Sequence, residues 1–334
     1  MPELHRSVLD LSIVSAGATS GDALAATTEL ARRAEALGYD RFWVAEHHNM
    51  PTVASTSPAV LMAHLAASTS RIKVGSGGVM LPNHAPLVVA EQFAMLEALH
   101  PGRVDLGIGR APGTDPATAA ALRRSSDALG ADDFPRDLLD LMGMLGDERV
   151  QEGSWSRLRA TPAATSSPQI VLLGSSGYSA QLAGQLGLAF GFAHHFDTPG
   201  VMEAVALYRE SFRPSPELDE PYTIVTAGVL AADDAEQAEH LAGPSRLAVL
   251  NIRTGRRMAM VSPDEAAVHA DIATARAMPS NRIVGDAGHV AAALQELAER
   301  TGAVELMVST MTYGLPERIR TLELVAEHWP VAVA

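Results

Sequence analysis

The chain has no cysteine among its 334 residues, which excludes disulfides, zinc–thiolate centres and thiol nucleophiles. Charge is sparse, at 19% of residues against 47% apolar. That is too little charge for a disordered chain and enough apolar side chain for a large core. Basic residues are the minority: 25 Lys and Arg face 39 Asp and Glu, for a net charge of −14. Such a balance argues against nucleic acid or an anionic membrane as the main partner. Uncharged apolar runs of membrane length are also missing, and Met1-Pro2-Glu3-Leu4-His5-Arg6 lacks the apolar segment of a secretory signal. A soluble cytoplasmic protein is the expectation.

What is present is an alternation of short apolar runs with helical patterns. Strands are predicted over 8–14, 41–45, 72–75, 104–108, 170–173, 188–193, 223–230 and 305–310. Between them lie helical stripes such as Leu30, Ala31, Ala34 and Leu37, which Asp22 would cap and Gly38 would stop. Pro86 opens another helix, with Val89, Phe93 and Leu96 on one face. The rhythm breaks twice. Residues 110–165 form an insertion with a helix over 134–145, and 240–285 is irregular, as expected of a lid or binding loop. Parallel neighbours need crossover connections, and eight strand–helix units are what a (β/α)8 TIM barrel requires. The expectation is therefore one barrel domain over 1–334, with a doubly wound open sheet as the competing layout.

In a barrel the chemistry sits after the C-terminal ends of the strands. Four clusters fall there. Glu46-His47-His48-Asn49 follows the second strand. Adjacent side chains of an extended segment point apart, so His47 and His48 are badly placed to share one metal, whereas one imidazole facing the mouth suits acid–base work. Packing and loop hydrogen bonds are the competing role for each. Gly75-Ser76-Gly77-Gly78 permits close backbone approach to a flat ligand, or only a bulge. Gly107-Ile108-Gly109-Arg110-Ala111-Pro112-Gly113 imitates a dinucleotide fingerprint but fails it, because its third glycine is displaced and no helix opens there. It leaves Arg110 as a phosphate fork or a surface salt bridge. Leu173-Gly174-Ser175-Ser176-Gly177-Tyr178 joins a buried strand to a helix and could cradle a phosphate with free amides, with Ser175 alternatively a simple cap. A second pair, His194-His195, lines a pocket or packs. No metal ligand set is identified: the first strand offers Asp10 and Ser12 where a metal amidohydrolase would carry paired histidines. Lys73, the obvious strand lysine, lies before the strand end and does not suit a Schiff-base aldolase.

In order and spacing these clusters resemble the bacterial luciferase-like monooxygenases, flavin-dependent (β/α)8 barrels. The likeness runs from Leu9 to Trp329. It is strongest in Gly38-Tyr39-Asp40-Arg41-Phe42-Trp43-Val44-Ala45-Glu46-His47-His48, in 74–82, in Pro101-Gly102-Arg103-Val104-Asp105-Leu106-Gly107-Ile108-Gly109-Arg110 and in 172–179. The resemblance implies that His47 is the catalytic histidine of the flavin–oxygen reaction, with Glu46 or His48 in support. It implies a non-prolyl cis peptide at Gly77-Gly78 beneath the isoalloxazine ring. It also implies that Arg110 grips the FMN phosphate together with Ser175, Ser176, Gly177 and Tyr178. Gly109 stands where luciferase carries a reactive cysteine beside the flavin, and the acidic residue of luciferase's phosphate loop is replaced. The implied reaction is two-component: a flavin reductase supplies FMNH2, O2 adds to give a C4a-peroxyflavin, and a small organic substrate is oxygenated behind a closed lid. Alternatives within the fold are F420-dependent hydride transfer and non-catalytic flavin binding. A homodimer through the second and third helices is expected, the Ala-rich stretch 59–67 favouring close packing.

Overall fold

A computed structural model describes residues 4–111, 116–123, 133–150, 158–256 and 258–329. Its strands are β1 (His5–Asp10), β2 (Arg41–Val44), β3 (Lys73–Ser76), β4 (Val79–Met80), β5 (Val104–Gly109), β6 (Gln169–Gly174), β7 (Ala189–Phe192), β8 (Thr223–Ala232), β9 (Ile283–Asp286) and β10 (Glu305–Ser309). The helices before the second insertion are α1 (Ser20–Ala36), α2 (Pro58–Ser68), α3 (Pro86–Leu99), α4 (Pro116–Arg123), α5 (Phe134–Met144), α6 (Gly177–Gln185) and α7 (Val201–Ser211). The rest are α8 (Ala235–Arg253), α9 (Pro263–Ala267), α10 (Ile272–Ala277), α11 (Ala287–Thr301) and α12 (Leu315–Glu327).

The strand order β1-β2-β3-β5-β6-β7-β8-β10 closes on itself because β10 pairs with both β8 and β1, always in parallel. This is the (β/α)8 barrel expected from the alternation. Its strands look continuously apolar because both faces are buried. Val8, Phe42, Val74, Leu106, Leu172, Phe190, Val225 and Leu306 point outward into the helix layer. Leu9, Trp43, Val171, Ala189, Ile224 and Met307 fill the barrel interior. Below that layer, at the foot, Arg41 donates to Asp105 Oδ1 at 2.7 Å and to Glu305 Oε2 at 3.0 Å. Tyr222 Oη donates to the same Glu305 oxygen, and Trp43 Nε1 to Asp105 Oδ2 at 2.9 Å.

Local details differ from the sequence reading. The cap of α1 is Thr19, three residues before Asp22, and the two form a reciprocal capping box. Gly38 does stop the helix, with φ +76°. The segment read as irregular is largely ordered: α8 runs unbroken through Gly243-Pro244, and β9 pairs with β8 above the barrel, from Val229↔Ile283 to Ala232↔Asp286. Gly-Pro is a breaker by propensity, but α8 is held by its packing on β8, β9, α9 and α10. The first insertion contains α4 as well as the predicted α5. None of the helices among the described residues is long and apolar enough to cross a membrane.

Candidate active site

Beyond Trp43, whose ring fills the barrel interior, alternation carries His47 to the same inner side and sends Glu46 and His48 outward. Glu46 is fully buried. Its Oε1 accepts from His48 Nε2 at 2.7 Å and His84 Nε2 at 2.8 Å, and its Oε2 accepts from the Met80 amide at 3.0 Å. Burial pushes this carboxyl up, but the hydrogen bonds from His84, His48 and Met80 outweigh it and hold the group below the usual range. The ligand atoms of Glu46, His48 and His84 lie within 4.8 Å of one another, close enough to hold a cation, although the two nitrogen–oxygen separations are hydrogen-bond lengths. His84 was not singled out in the sequence; its place in the turn after β4 gave no signal of this partnership.

His47 is tied by its backbone amide to the Ser55 carbonyl at 3.1 Å. Its ring Nδ1 is buried with no hydrogen-bond partner. Burial lowers the imidazole pKa, partly opposed by the nearby Glu46 charge, so the ring is neutral at pH 7. His47 is also among the groups that act on His195, so these two histidines share one electrostatic neighbourhood. The His194-His195 pair does not continue β7 in extended form. It lies in a 3-10 turn, where His195 packs against the Phe196 ring. Nδ1 of each is buried and unpartnered, and burial, with the charges of Arg282 and His47, pushes His195 down to about 3.

β5 and β6 are paired as far as Gly109↔Leu173, which brings the residues after them together at the mouth. The Arg110 guanidinium stacks over the Tyr178 ring, 4.3 Å from its centroid. Among the described residues no carboxylate pairs with it. α6 starts at Gly177 with Ser176, not Ser175, in the capping position, and the Ser176 hydroxyl makes no capping hydrogen bond. The first amides of α6 are therefore left for another acceptor. Ser175 and Ser176 are exposed beside them. A bare guanidinium, two hydroxyls and an uncapped helix start together can hold a phosphate.

The Gly77–Gly78 peptide is cis. Gly107 lies where β3 and β5 approach closely: a Cβ there would sit 2.0 Å from the Ser76 carbonyl oxygen. Its glycine is thus explained by strand packing. Gly109, buried at the end of β5, faces Met80, whose sulfur would lie 3.0 Å from an added Cβ. The predicted residues therefore fall into a grouping around Arg110 and Tyr178, a glycine-lined wall between β3 and β5, and a histidine grouping around His47.

The model for luciferase-like monooxygenases matches residues 5–305. A luciferase-like monooxygenase of Escherichia coli K12 is 41% identical over 325 residues, covering 96% of either chain. An N-acetyl-S-alkylcysteine monooxygenase of Bacillus subtilis is 37% identical over 304 residues, covering 89% of this chain and 87% of that one. The crystal structure of apo-MsnO8 superposes with a TM-score of 0.87 at 35% identity, covering 97% of this chain and 98% of that one. A closed parallel barrel with its polar groups gathered at the strand ends, matched end to end at these identities, places the chain in the luciferase-like monooxygenase family.

Proposed function

We propose that this protein is an FMN-dependent monooxygenase that acts on a small organic molecule with O2, taking its FMNH2 from a separate flavin reductase. One observation carries the reading. Arg110 has no anionic partner among the described residues, and it stands over Tyr178 beside the uncapped start of α6. In a chain of net charge −14, an uncommitted guanidinium at a helix start is built for a phosphate. Arg110, Ser175, Ser176 and the amides of Gly177 and Tyr178 would hold that phosphate, and Gly77, Gly78 and Gly109 would leave room for the ring system. When bound, reduced flavin supplies the two electrons that let one atom of O2 enter the substrate while the other leaves as water. The chain's own part is to orient, exclude water and handle a proton. His47, neutral and with Nδ1 unpartnered, would move that proton, and Glu46 would fix the loop from which His47 projects. The rim formed by 240–285 would close over the mouth. Val60, Val88, Met95 and Leu99, at least half exposed on α2 and α3, would be covered by a second copy.

Titration with oxidised FMN, reduced FMN and F420, followed by mixing with oxygen, tests this directly. FMN should bind, and reduced FMN should support oxygen uptake. Tight F420 binding without oxygen uptake would assign the fold to hydride transfer instead. His47→Ala should keep FMN affinity while slowing substrate oxygenation by about 100-fold or more. If oxygenation were unaffected, the catalytic role of His47 would be lost.

A further inference from the structure

We propose that Arg282 is the receptor for a carboxylate carried by the substrate, at the rim of the barrel mouth and apart from the phosphate-binding grouping. The word substrate rests on the oxygenase reading; the anion site itself does not.

Arg282 comes immediately before β9. Its stem lies over Gly228, where an added Cβ would be 3.1 Å from Arg282 Cγ. Gly228 shares the inward-facing register of β8 with Ile224, so the missing side chain leaves a channel for the guanidinium over the barrel interior. Nη2 reaches the sulfur of Met311 at 3.2 Å, just past β10. The side chain thus bridges the β8–β10 seam, three strands round the ring from β5, which leads into Arg110.

No carboxylate among the described residues forms an ion pair with Arg282, and its Nε is buried without a partner. A thioether is a weak acceptor and carries no charge. Leaving a half-buried guanidinium in that state is costly unless a ligand completes it. The neighbouring groups are already committed. Asp197 is the carboxylate whose charge acts on Arg282, but it makes no ion pair with it: it accepts from the Ser280 hydroxyl at 3.2 Å and the Asn281 amide at 2.6 Å, and faces Arg253 at 3.6 Å. Arg246 is held by both oxygens of Glu239, at 2.7 Å each. Beside Arg282 is a cavity of about 150 Å³, lined also by Asp197, Ser245, Arg246, Met278 and Ser280. Of the two arginines that line it, Arg246 has an ion-pair partner and Arg282 has none.

That charge count selects the anion. His195, which faces the same guanidinium, is neutral, so it adds no second cation. A monoanion is matched by one guanidinium, whereas a phosphate dianion would stay half neutralised. A carboxylate also fits the planar fork of two N–H donors.

The test uses the flavin-free protein with hexanoate, 1-hexanol and inorganic phosphate as probes, in the wild type, Arg282→Met, Arg282→Gln and Arg110→Met, read by isothermal titration calorimetry. Hexanoate should bind saturably. Both Arg282 variants should weaken it by about tenfold or more while leaving 1-hexanol unchanged, and Arg110→Met should leave hexanoate unchanged. Hexanoate binding that survives both Arg282 substitutions, or phosphate displacing hexanoate at equal concentration, would overturn the assignment. Hexanoate binding that needs Arg282 in a wild type that fails to bind FMN would uphold the anion site and remove the oxygenase reading.

Discussion

Both ends of the barrel interior carry arginine, and the two ends treat the guanidinium in opposite ways. At the foot, Arg41 has carboxylates at 2.7 and 3.0 Å, and Asp105 and Glu305 also receive Trp43 and Tyr222 as donors. At the mouth, Arg110 has a tyrosine ring and Arg282 a methionine sulfur. Single polar atoms without partners occur at both ends: the Nδ1 atoms of His47, His194 and His195 at the mouth, and Glu305 Oε1, Ser7 Oγ and Thr223 Oγ1 at the foot. Buried polar groups are normally satisfied. What separates the two ends is therefore the guanidiniums: Arg41 is held by two carboxylates, whereas Arg110 and Arg282 have no ion-pair partner among the described residues. If the mouth binds a ligand as proposed, the foot pair should matter for the fold and the mouth guanidiniums for binding.

The sharpest way to break this comparison is to remove Arg41. Arg41→Met should leave Asp105 and Glu305 buried without their cation and lower the unfolding free energy by about 3–5 kcal/mol, read from denaturant midpoints. A loss below about 1 kcal/mol would mean that the foot network is no more structural than the mouth.

Next in size is the proposed phosphate site around Arg110. Arg110→Met should weaken FMN by about ten- to a hundredfold, as loss of charged hydrogen bonds does, and leave riboflavin, which lacks the phosphate, unchanged in a fluorescence titration. Equal losses for both flavins would place Arg110 against the ring system or in the fold, and the division of the mouth into a phosphate end and a histidine end would fail.

The contrast between foot and mouth was only partly legible in the sequence. All eight barrel strands were, because a strand buried on both faces shows as an uninterrupted apolar run between helical stripes. So was the meeting of Arg110 with Tyr178, since both lie just beyond strands that neighbour each other in a barrel. Partners distant in sequence were not. Nothing local to Asn83-His84-Ala85 says that His84 shares an oxygen of Glu46 with His48, and nothing near Asn281-Arg282 says that its stem crosses Gly228. The foot network likewise joins Arg41, Asp105 and Glu305 across the whole chain. The order within 240–285 was hidden because Gly243-Pro244 signals a break that packing overrides.

A smaller effect separates the ends by pH. Burial first, and then the charges of Arg282 and His47, bring His195 from an ordinary 6.5 down to about 3. Between those values the unfolded chain holds a proton that the folded chain lacks, so stability rises with pH there and is level with respect to this group above about 6.5. The contribution is about 1.4 kcal/mol per pH unit. His47, lowered mainly by burial, acts in the same sense. Comparing unfolding at pH 7 and pH 5, His195→Gln should lose less stability on acidification than the wild type. Parallel losses would show that the mouth histidines titrate as if exposed, removing the case for a neutral, ligand-ready rim.

The smallest expected effect is the most direct test of the comparison. Arg282→Met removes a half-buried guanidinium that forms no ion pair among the described residues, and it replaces the stem with an apolar chain beside Met311 and Gly228. In the ligand-free protein this should be neutral or stabilising, within about 1 kcal/mol, because the desolvation cost of the charge disappears and no ion pair is lost. Two arginine-to-methionine changes in one barrel interior would then differ by several kcal/mol, with the larger loss at the foot. If Arg282→Met instead cost as much as Arg41→Met, the guanidinium would be a structural strut, and its missing partner would have to be sought inside the protein.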